Sequence, residues 1–496
     1  MTGRSARTGV TLASGFGLLA LTRDQLDSLH YATLEVFRNT GIKVDSEEAV
    51  EMFHGAGAKV ERRPGQTIVK IPPYVVEDCI QWTPSTTVYY GREPEDDFVA
   101  EPNRVGFSTF GECVKVIDIH TRQARRSVKE DVAQVTRVCD YLDEISVMER
   151  PLCSSDCLPA TQPLHNLDAL LNNTSKHVFT GAGNGANCRK MVEMAAASVG
   201  GAEVFRERPN LTVFVCPTSP LMLVEECCEA IIETARGGAG VAVIPMALAG
   251  ATSTVTLAGT LVTHNAETLS ALVLAQLARK GTACTYCSMS TIMDLRLMVG
   301  AVGSPEHGMI SAGAINLAQY YRLPSWVGGG VSDSKIPDAQ SGYEYTLNAV
   351  LGALAGANIV YGVGALEMGL TIDFAKLILD AEMIRYIRKV TGGIDFSDET
   401  LALDLIHQVG PAGEFMTSEH TFRHMRKQSQ PRLFDRRTRN AWSAEGSRDA
   451  AERAYEEAQH ILKTHKPIPM VAGAAQTIRA IIEDYEAEIL RGHPGA

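Results

Sequence analysis

From about residue 100 onward, short runs rich in Val, Ile and Cys alternate with helical stretches of a dozen residues or more. This rhythm constrains the fold most, because neighbouring parallel strands must be joined by long crossovers and a helix is the usual one. Eight runs are predicted strands: 105–110, 145–152, 178–181, 211–216, 241–248, 283–289, 325–329 and 358–363. The stretches between them have helical periodicity; in 374–389, Phe374, Leu377, Ile378, Ala381 and Ile384 form one apolar face, with Arg385, Arg388 and Lys389 outside it. Eight such units imply an α/β fold, a TIM (β/α)8 barrel. The alternative, an open doubly wound sheet, would usually carry a GxGxxG fingerprint directly after its first strand, and none stands there. Before residue 100 the pattern is helical and then short-stranded. Thr22 to Gln25 resembles a capping box opening a helix that Gly41 stops. The expected organisation is an N-terminal α+β extension over 1–100, the barrel over 101–430 and a helical segment over 431–496.

Charge and cysteine usage narrow the function. The chain has 496 residues, 46 Lys+Arg against 58 Asp+Glu and a net charge of −12, which argues against nucleic acid, since such binders need a basic face. Of the eleven cysteines, Cys216, Cys284 and Cys287 lie in apolar strand-like runs and the Cys227–Cys228 pair in a helical pattern. Buried free thiols in a reducing, cytoplasmic setting are therefore expected. Cys284 and Cys287 make the one CxxC pair, without the second pair that a zinc site requires. The segment after Arg4 and Arg7 is broken by Ser14, Gly15 and Gly17 and lacks a cleavage site, so export is not expected. No apolar run reaches the ~18 residues of a membrane helix.

Five predicted strands end in small, turn-forming residues: 181–185 (GAGNG), 217–220 (PTSP), 288–290 (SMS), 328–330 (GGG) and 362–364 (GVG). Barrel active sites are built on this face. The triple glycine Gly328, Gly329 and Gly330 is read as backbone cleared of side chains so that a bulky ligand can approach, the alternative being a tight turn.

The stretch 326–371, WVGGGVSDSKIPDAQSGYEYTLNAVLGALAGANIVYGVGALEMGLT, closely resembles the trimethylamine methyltransferase family, including its branch without pyrrolysine. The segments 21–44 and 431–470 resemble the family's opening helix and closing segment, so the likeness spans nearly the whole chain. It implies a TIM barrel that moves a methyl group from a methylated amine to the Co(I) corrinoid (cobalamin) of a separate carrier protein, in methylamine metabolism and related to methanogenesis. A homo-oligomer is expected as well. Only standard residues stand where trimethylamine-using members carry pyrrolysine, which favours quaternary amines such as glycine betaine. Under this resemblance the three glycines would line the corrinoid site.

A permanent cation without N–H donors is held by aromatic faces, at about 0.5–2 kcal/mol each. Phe107, Phe110, Tyr286, Trp326 and Tyr361 at predicted strand ends are the candidates. A substrate carboxylate needs a cation or donors, for which Lys335, Asn184 and Ser219 are candidates. Asp333, Lys335 and Glu367 are the candidate catalytic residues, Glu367 complementing the substrate's charge. Lys335 could instead be a solvated lysine paired with Asp333 or Asp338, and Glu367 a helix cap. His264, His307, His407, His420 and His424 lack metal-ligand spacing, so no metal is expected. Arg432, Arg436, Arg437 and Arg439 form either a solvated face or a dock for an acidic carrier. Two other functions fit the same residues: a barrel lyase or aldolase using Lys335 as a Schiff base, and a non-catalytic betaine-binding protein.

Overall fold

In the computed structural model, which describes residues 10–11 and 17–492, eight parallel strands form one continuous sheet. We number them β1 (Arg104–Thr109), β2 (Met148–Glu149), β3 (Val178–Gly181), β4 (Leu211–Val215), β5 (Gly240–Val243), β6 (Cys284–Ser288), β7 (Ser325–Gly328) and β8 (Ile359–Val363). All eight predicted runs are strands, shortened mainly at their C-terminal ends, where loops begin. The sheet runs in order from β2 to β8, β8 pairs with β1, and β1 closes on β2. Closure uses the Ser146 N–H donating to the Phe107 carbonyl (2.8 Å) and the Ser108 hydroxyl donating to the Val147 carbonyl (2.9 Å).

A helix follows each strand: α1 (Lys129–Tyr141), α2 (Gln162–Asn173), α3 (Gly185–Val199), α4 (Glu225–Gly237), α5 (Leu257–Ala278), α6 (Pro305–Tyr321), α7 (Ala339–Ala355) and α8 (Phe374–Thr391). Strands buried on both faces read as continuous apolar runs, as seen here. Their alternation still decides function, because successive side chains point into the barrel or out toward the helices.

The N-terminal extension opens with the helix Arg23–Glu35, whose Thr22–Gln25 capping box forms as expected. It also closes the barrel floor. A hairpin of Thr87–Tyr89 and Phe98–Ala100 places Tyr89 in ring contact with Phe179 on β3 (5.0 Å) and within hydrogen-bond reach of Thr285 on β6 (2.8 Å). His177 sits in the same plug, its imidazole pushed down to about 3 by burial. Filling one end with rings leaves the C-terminal ends of the strands as the accessible end. After α8 come short helices between Asp398 and Ala444, then Ala450–Thr464, which packs on α8, and Ala474–Gly492. Arg4, Arg7 and the Ser14–Gly15 break lie outside the described residues. Among the described residues no helix is long and apolar enough to cross a membrane.

Candidate active site at the barrel mouth

Alternate strands send Glu149 (β2), Cys216 (just past β4), Cys287 (β6) and Tyr361 (β8) into one layer near the mouth, where they act on one another electrostatically. Trp326 on β7 packs below them, its ring centroid 6.1 Å from Tyr361 and 3.9 Å from Phe179. Phe110, half-buried beyond the end of β1, stacks on Tyr361 at 6.0 Å. The layer therefore has an aromatic floor and wall around one carboxyl group.

Glu149 is the centre of it. Its side chain is buried and one carboxyl oxygen, Oε2, has no hydrogen-bond partner; the Trp326 indole Nε1 is likewise buried and unpartnered. Burial pushes the carboxyl well above its ordinary value, opposed by the Gly111 backbone N–H, the Arg150 charge and the nearby Trp326 indole, and reinforced by Glu112. A β-carbon on Gly111 would lie 2.6 Å from Glu149 Oε1, so the carboxyl sits directly on this glycine. Above this group, buried Arg150 pairs with the exposed Glu112, whose carboxylate lies over Gly181 at the end of β3. Cys216 is solvent-exposed at the same level, with a thiol raised to about 12 by burial of the sulfur's surroundings. A buried acid with an orphan oxygen, ringed by π-faces, is suited to a cation that brings no hydrogen-bond donors.

The expected residues divide. Trp326, Tyr361 and Phe110 converge on this layer. Tyr286 does not: its hydroxyl donates to Asn265 on α5 at 3.0 Å, so the ring faces the helices. Phe107 is fully buried and opposite in alternation to Gly106, which faces the plug residue Phe98, so it too lies in the outer wall. Asn184 caps α3 by accepting the Asn187 N–H (2.9 Å), and Ser219 donates to Glu267 (2.8 Å). Lys335 is exposed and donates to the carbonyl of Asp333 in its own turn (2.7 Å), whereas a Schiff-base lysine needs a desolvated site. Asp333 accepts the Val302 N–H (3.1 Å), and burial raises its carboxyl. Glu367 pairs with Lys115 (3.4 Å) and accepts the Thr371 hydroxyl (3.0 Å). Asp333 thus ties the loop after β7 to that after β6, Glu367 ties the loop after β8 to the segment after β1, and Lys335 stays within its own turn.

The triple-glycine reading is corrected. A β-carbon on Gly330 would lie 2.7 Å from the carbonyl carbon of Gly362, and one on Gly329 2.7 Å from Val360 and 3.1 Å from the Asn348 carbonyl of α7. On Gly328 it would meet His307 Nε2 at 2.6 Å. Protein packs against these glycines, so close passage of β7 by β8 and α7 requires them. The His307 imidazole is pushed down to about 4 and that of His264 to about 3 by burial; both reach Ser290 through Nδ1. Cys284 accepts from Gln276 of α5 while Cys287 faces the barrel interior, so the two thiols of the CxxC pair point to opposite sides of β6. Among the described residues no three His, Cys, Asp or Glu side chains could together hold a metal ion. Of the arginine cluster, Arg437 pairs with Asp435 and Glu445, and Arg436 donates to Ser429.

Sequence reasoning missed Glu149, Arg150 and Glu112. The available signal was an adjacent acid and base, Glu149 and Arg150, inside a run otherwise read as an apolar strand.

Comparison with known proteins places this geometry. The family model described as trimethylamine methyltransferase matches residues 13–489. A trimethylamine methyltransferase of Desulfitobacterium hafniense is 50% identical, over 97% of each chain, and one of Methanosarcina mazei is 38% identical, over 99% of this chain and 100% of its own. A glycine betaine methyltransferase of Desulfitobacterium hafniense is 29% identical over 90% of this chain and 93% of its own. Among solved structures, the monomethylamine methyltransferase of Methanosarcina barkeri has the same fold, with a TM-score of 0.54 at 12% identity, covering 91% of this chain and 89% of that one. The barrel with its buried acid at the mouth is that of an enzyme, and the chain belongs to the trimethylamine methyltransferase family.

Proposed function

We propose that this methyltransferase takes its methyl group from a quaternary amine, glycine betaine or a related betaine, and passes it to the Co(I) corrinoid of a separate carrier protein. The observation that carries the reading is Glu149, a buried carboxyl with an unpartnered oxygen enclosed by Trp326, Tyr361 and Phe110. A Co(I) corrinoid, when brought by its carrier, would supply the nucleophile that takes the N-methyl carbon; the C–N pair would stay on nitrogen, so the tertiary amine left at the site is neutral and needs no proton from the chain. The chain's own part is to hold the ammonium, turn one methyl toward the open mouth and exclude water. Glu149 would balance the cation, the rings would clasp its methyl groups, and Arg150 would exchange Glu112 for the substrate carboxylate.

A flat macrocycle brought by a carrier needs an open, apolar rim. Beside the mouth, a hairpin of Thr291–Asp294 and Val299–Ala301 presents Leu295, Leu297 and Met298 to solvent, with Met246 next to it on the loop after β5. This apolar edge fits such a visitor.

A second reading has an observation of its own. The higher identity to trimethylamine methyltransferases, together with a carboxyl that burial shifts toward its protonated form, would suit a tertiary amine whose leaving dimethylamine takes a proton from Glu149. Reduced free cobalamin with tetramethylammonium, glycine betaine or trimethylamine, followed by its absorbance change, separates the two. Methylation by the quaternary compounds and none by trimethylamine is expected; methylation by trimethylamine alone would reverse the assignment.

A further inference from the structure

The turn that follows β8 adopts a backbone that most side chains avoid. Ala365–Leu366 pairs antiparallel with Thr371–Asp373, Ala365 opposite Ile372 and Leu366 opposite Thr371. Between the two strands, Glu367, Met368 and Gly369 stand in succession at φ of 52°, 60° and 89°. Glycine takes this left-handed region freely, whereas a residue with a β-carbon is strained there. Two such residues in a row persist only where their surroundings fix them, and strain of this kind gathers at functional sites. Here the loop after β7 does the fixing on one side: the Glu367 N–H donates to the Ser334 carbonyl (2.8 Å) and the Met368 N–H to the Ser332 carbonyl (3.0 Å). On the other side the Leu370 carbonyl accepts the N–H groups of Val114 and Lys115, each at 3.0 Å, in the segment after β1.

This turn presses the buried α-carbon of Gly369 against the Phe110 ring. A β-carbon on Gly369 would collide with Phe110 Cε1 and lie 2.6 Å from Cζ and 3.1 Å from Cδ1. The same ring stacks on Tyr361, the centroids 6.0 Å apart and the planes 17° from parallel. The three rings of the mouth are held differently. Trp326 and Tyr361 are fully buried, Trp326 against Phe179 and Tyr361 by its hydroxyl, which donates to the Ser288 carbonyl (3.2 Å). Phe110 is only half-buried and has no polar atom to anchor it. Its seat has to come from shape. A bare α-carbon, held by a turn that is bonded to loops on both sides, provides that shape, and a side chain at the same place would push the ring off Tyr361.

We propose that Gly369 is a positioning residue: held in the left-handed turn Glu367–Gly369, it seats the Phe110 ring against Tyr361 and so fixes the solvent-side wall of the ammonium site. The ammonium rests on the function proposed above; the seat of the ring does not depend on it.

Proton–carbon NMR on protein with ring-labelled phenylalanine tests the seat, the Phe110 signal being identified by its absence in Phe110→Leu. Gly369→Asn is the perturbation, because asparagine enters the left-handed region more readily than other side chains yet brings the β-carbon that meets the ring. The Phe110 signal should move in this variant as the ring leaves Tyr361, with the signals of Phe98 and Phe179 in the barrel floor unmoved. Calorimetric titration with tetramethylammonium reads the consequence. Gly369→Asn should bind about three- to tenfold more weakly, the share of one aromatic face. Adding it to Phe110→Leu should cost no further affinity, since both act through one ring. If Gly369→Asn alone does not fold, Phe110→Leu in the same chain should restore folding, because leucine lacks the Cε1 and Cζ atoms that the β-carbon would meet. A Phe110 signal that stays in place, losses of affinity that add in the double variant, or a misfolded variant that Phe110→Leu does not rescue would each overturn the proposal. The ring signals are read without ligand, so a wild type that binds no tetramethylammonium refutes the quaternary-amine reading and leaves the ring comparison to decide this one.

Discussion

Replacing Glu149 by Gln keeps the shape of the side chain and its contact with the Gly111 N–H while removing the charge. At about 5 Å and an effective dielectric near 20, a carboxylate attracts a unit cation by roughly 3 kcal/mol. Part of this is used to ionise a carboxyl whose protonated form burial favours. A net contribution on the order of 2 kcal/mol corresponds to about 30-fold in affinity. Calorimetric titration with tetramethylammonium at pH 6 and 8.5, in buffers of different ionisation enthalpy, reads both quantities. Wild-type affinity should rise with pH and binding should release protons, up to one per site, because Glu149 must ionise to pair with the cation. Glu149→Gln should bind about 30-fold more weakly at pH 8.5 and show neither effect. The free protein obeys the matching sign. A raised acid binds its proton more tightly in the folded state, so its contribution to stability is full below about pH 4, near the unfolded value, and is lost as pH rises through the folded one. The Gln variant should therefore gain thermal stability over the wild type at alkaline pH, and the difference should vanish in acid. Equal affinities of the two proteins at both pH values, with no proton release, would refute the assignment of Glu149 as the cation's partner.

Other substitutions test the placement of the remaining residues. Gly330→Ala forces a β-carbon to within 2.7 Å of Gly362 and should lower stability by about 1–3 kcal/mol, with turnover per folded molecule retained; an intact melting temperature with lost turnover would restore the ligand-approach reading. Tyr286→Phe leaves Asn265 Oδ1 without its donor and should destabilise the fold by about 1–3 kcal/mol while kcat stays unchanged, as a residue facing α5 requires. Lys335→Ala should leave methyl transfer within twofold of wild type; borohydride trapping of a carbonyl compound on Lys335 would instead support the lyase chemistry.

Barrel topology was legible because each βα unit writes its own signature, an apolar run and then a 3.6-residue period, without reference to distant parts of the chain. Three of the five candidate aromatics converge on the mouth for the same reason: Trp326, Tyr361 and Phe110 stand at strand ends. Which way a ring points was harder to read. Tyr286 and Cys287 are adjacent and buried, yet one faces α5 and the other the interior. In a strand buried on both faces, inward and outward positions are equally apolar, so the alternation leaves no mark in composition. The glycines failed differently. Their need arises from Gly362, Val360 and α7, which are distant in sequence, and a close backbone approach looks the same whether its other side is ligand or protein.

Glu149 shows where such reasoning recovers its power. An acid and a base placed side by side at the end of an apolar strand cost desolvation free energy that packing alone gives no reason to spend. Arg150 offsets part of its cost by pairing with Glu112, whereas Glu149 Oε2 has only the facing Trp326 indole near it. On the function proposed above, the buried carboxyl and the indole facing it in the mouth of the barrel mark where the ammonium would sit. The protomer alone leaves that cost uncompensated, and a carboxyl oxygen among rings is, on the proposed function, suited to a small cation without hydrogen-bond donors.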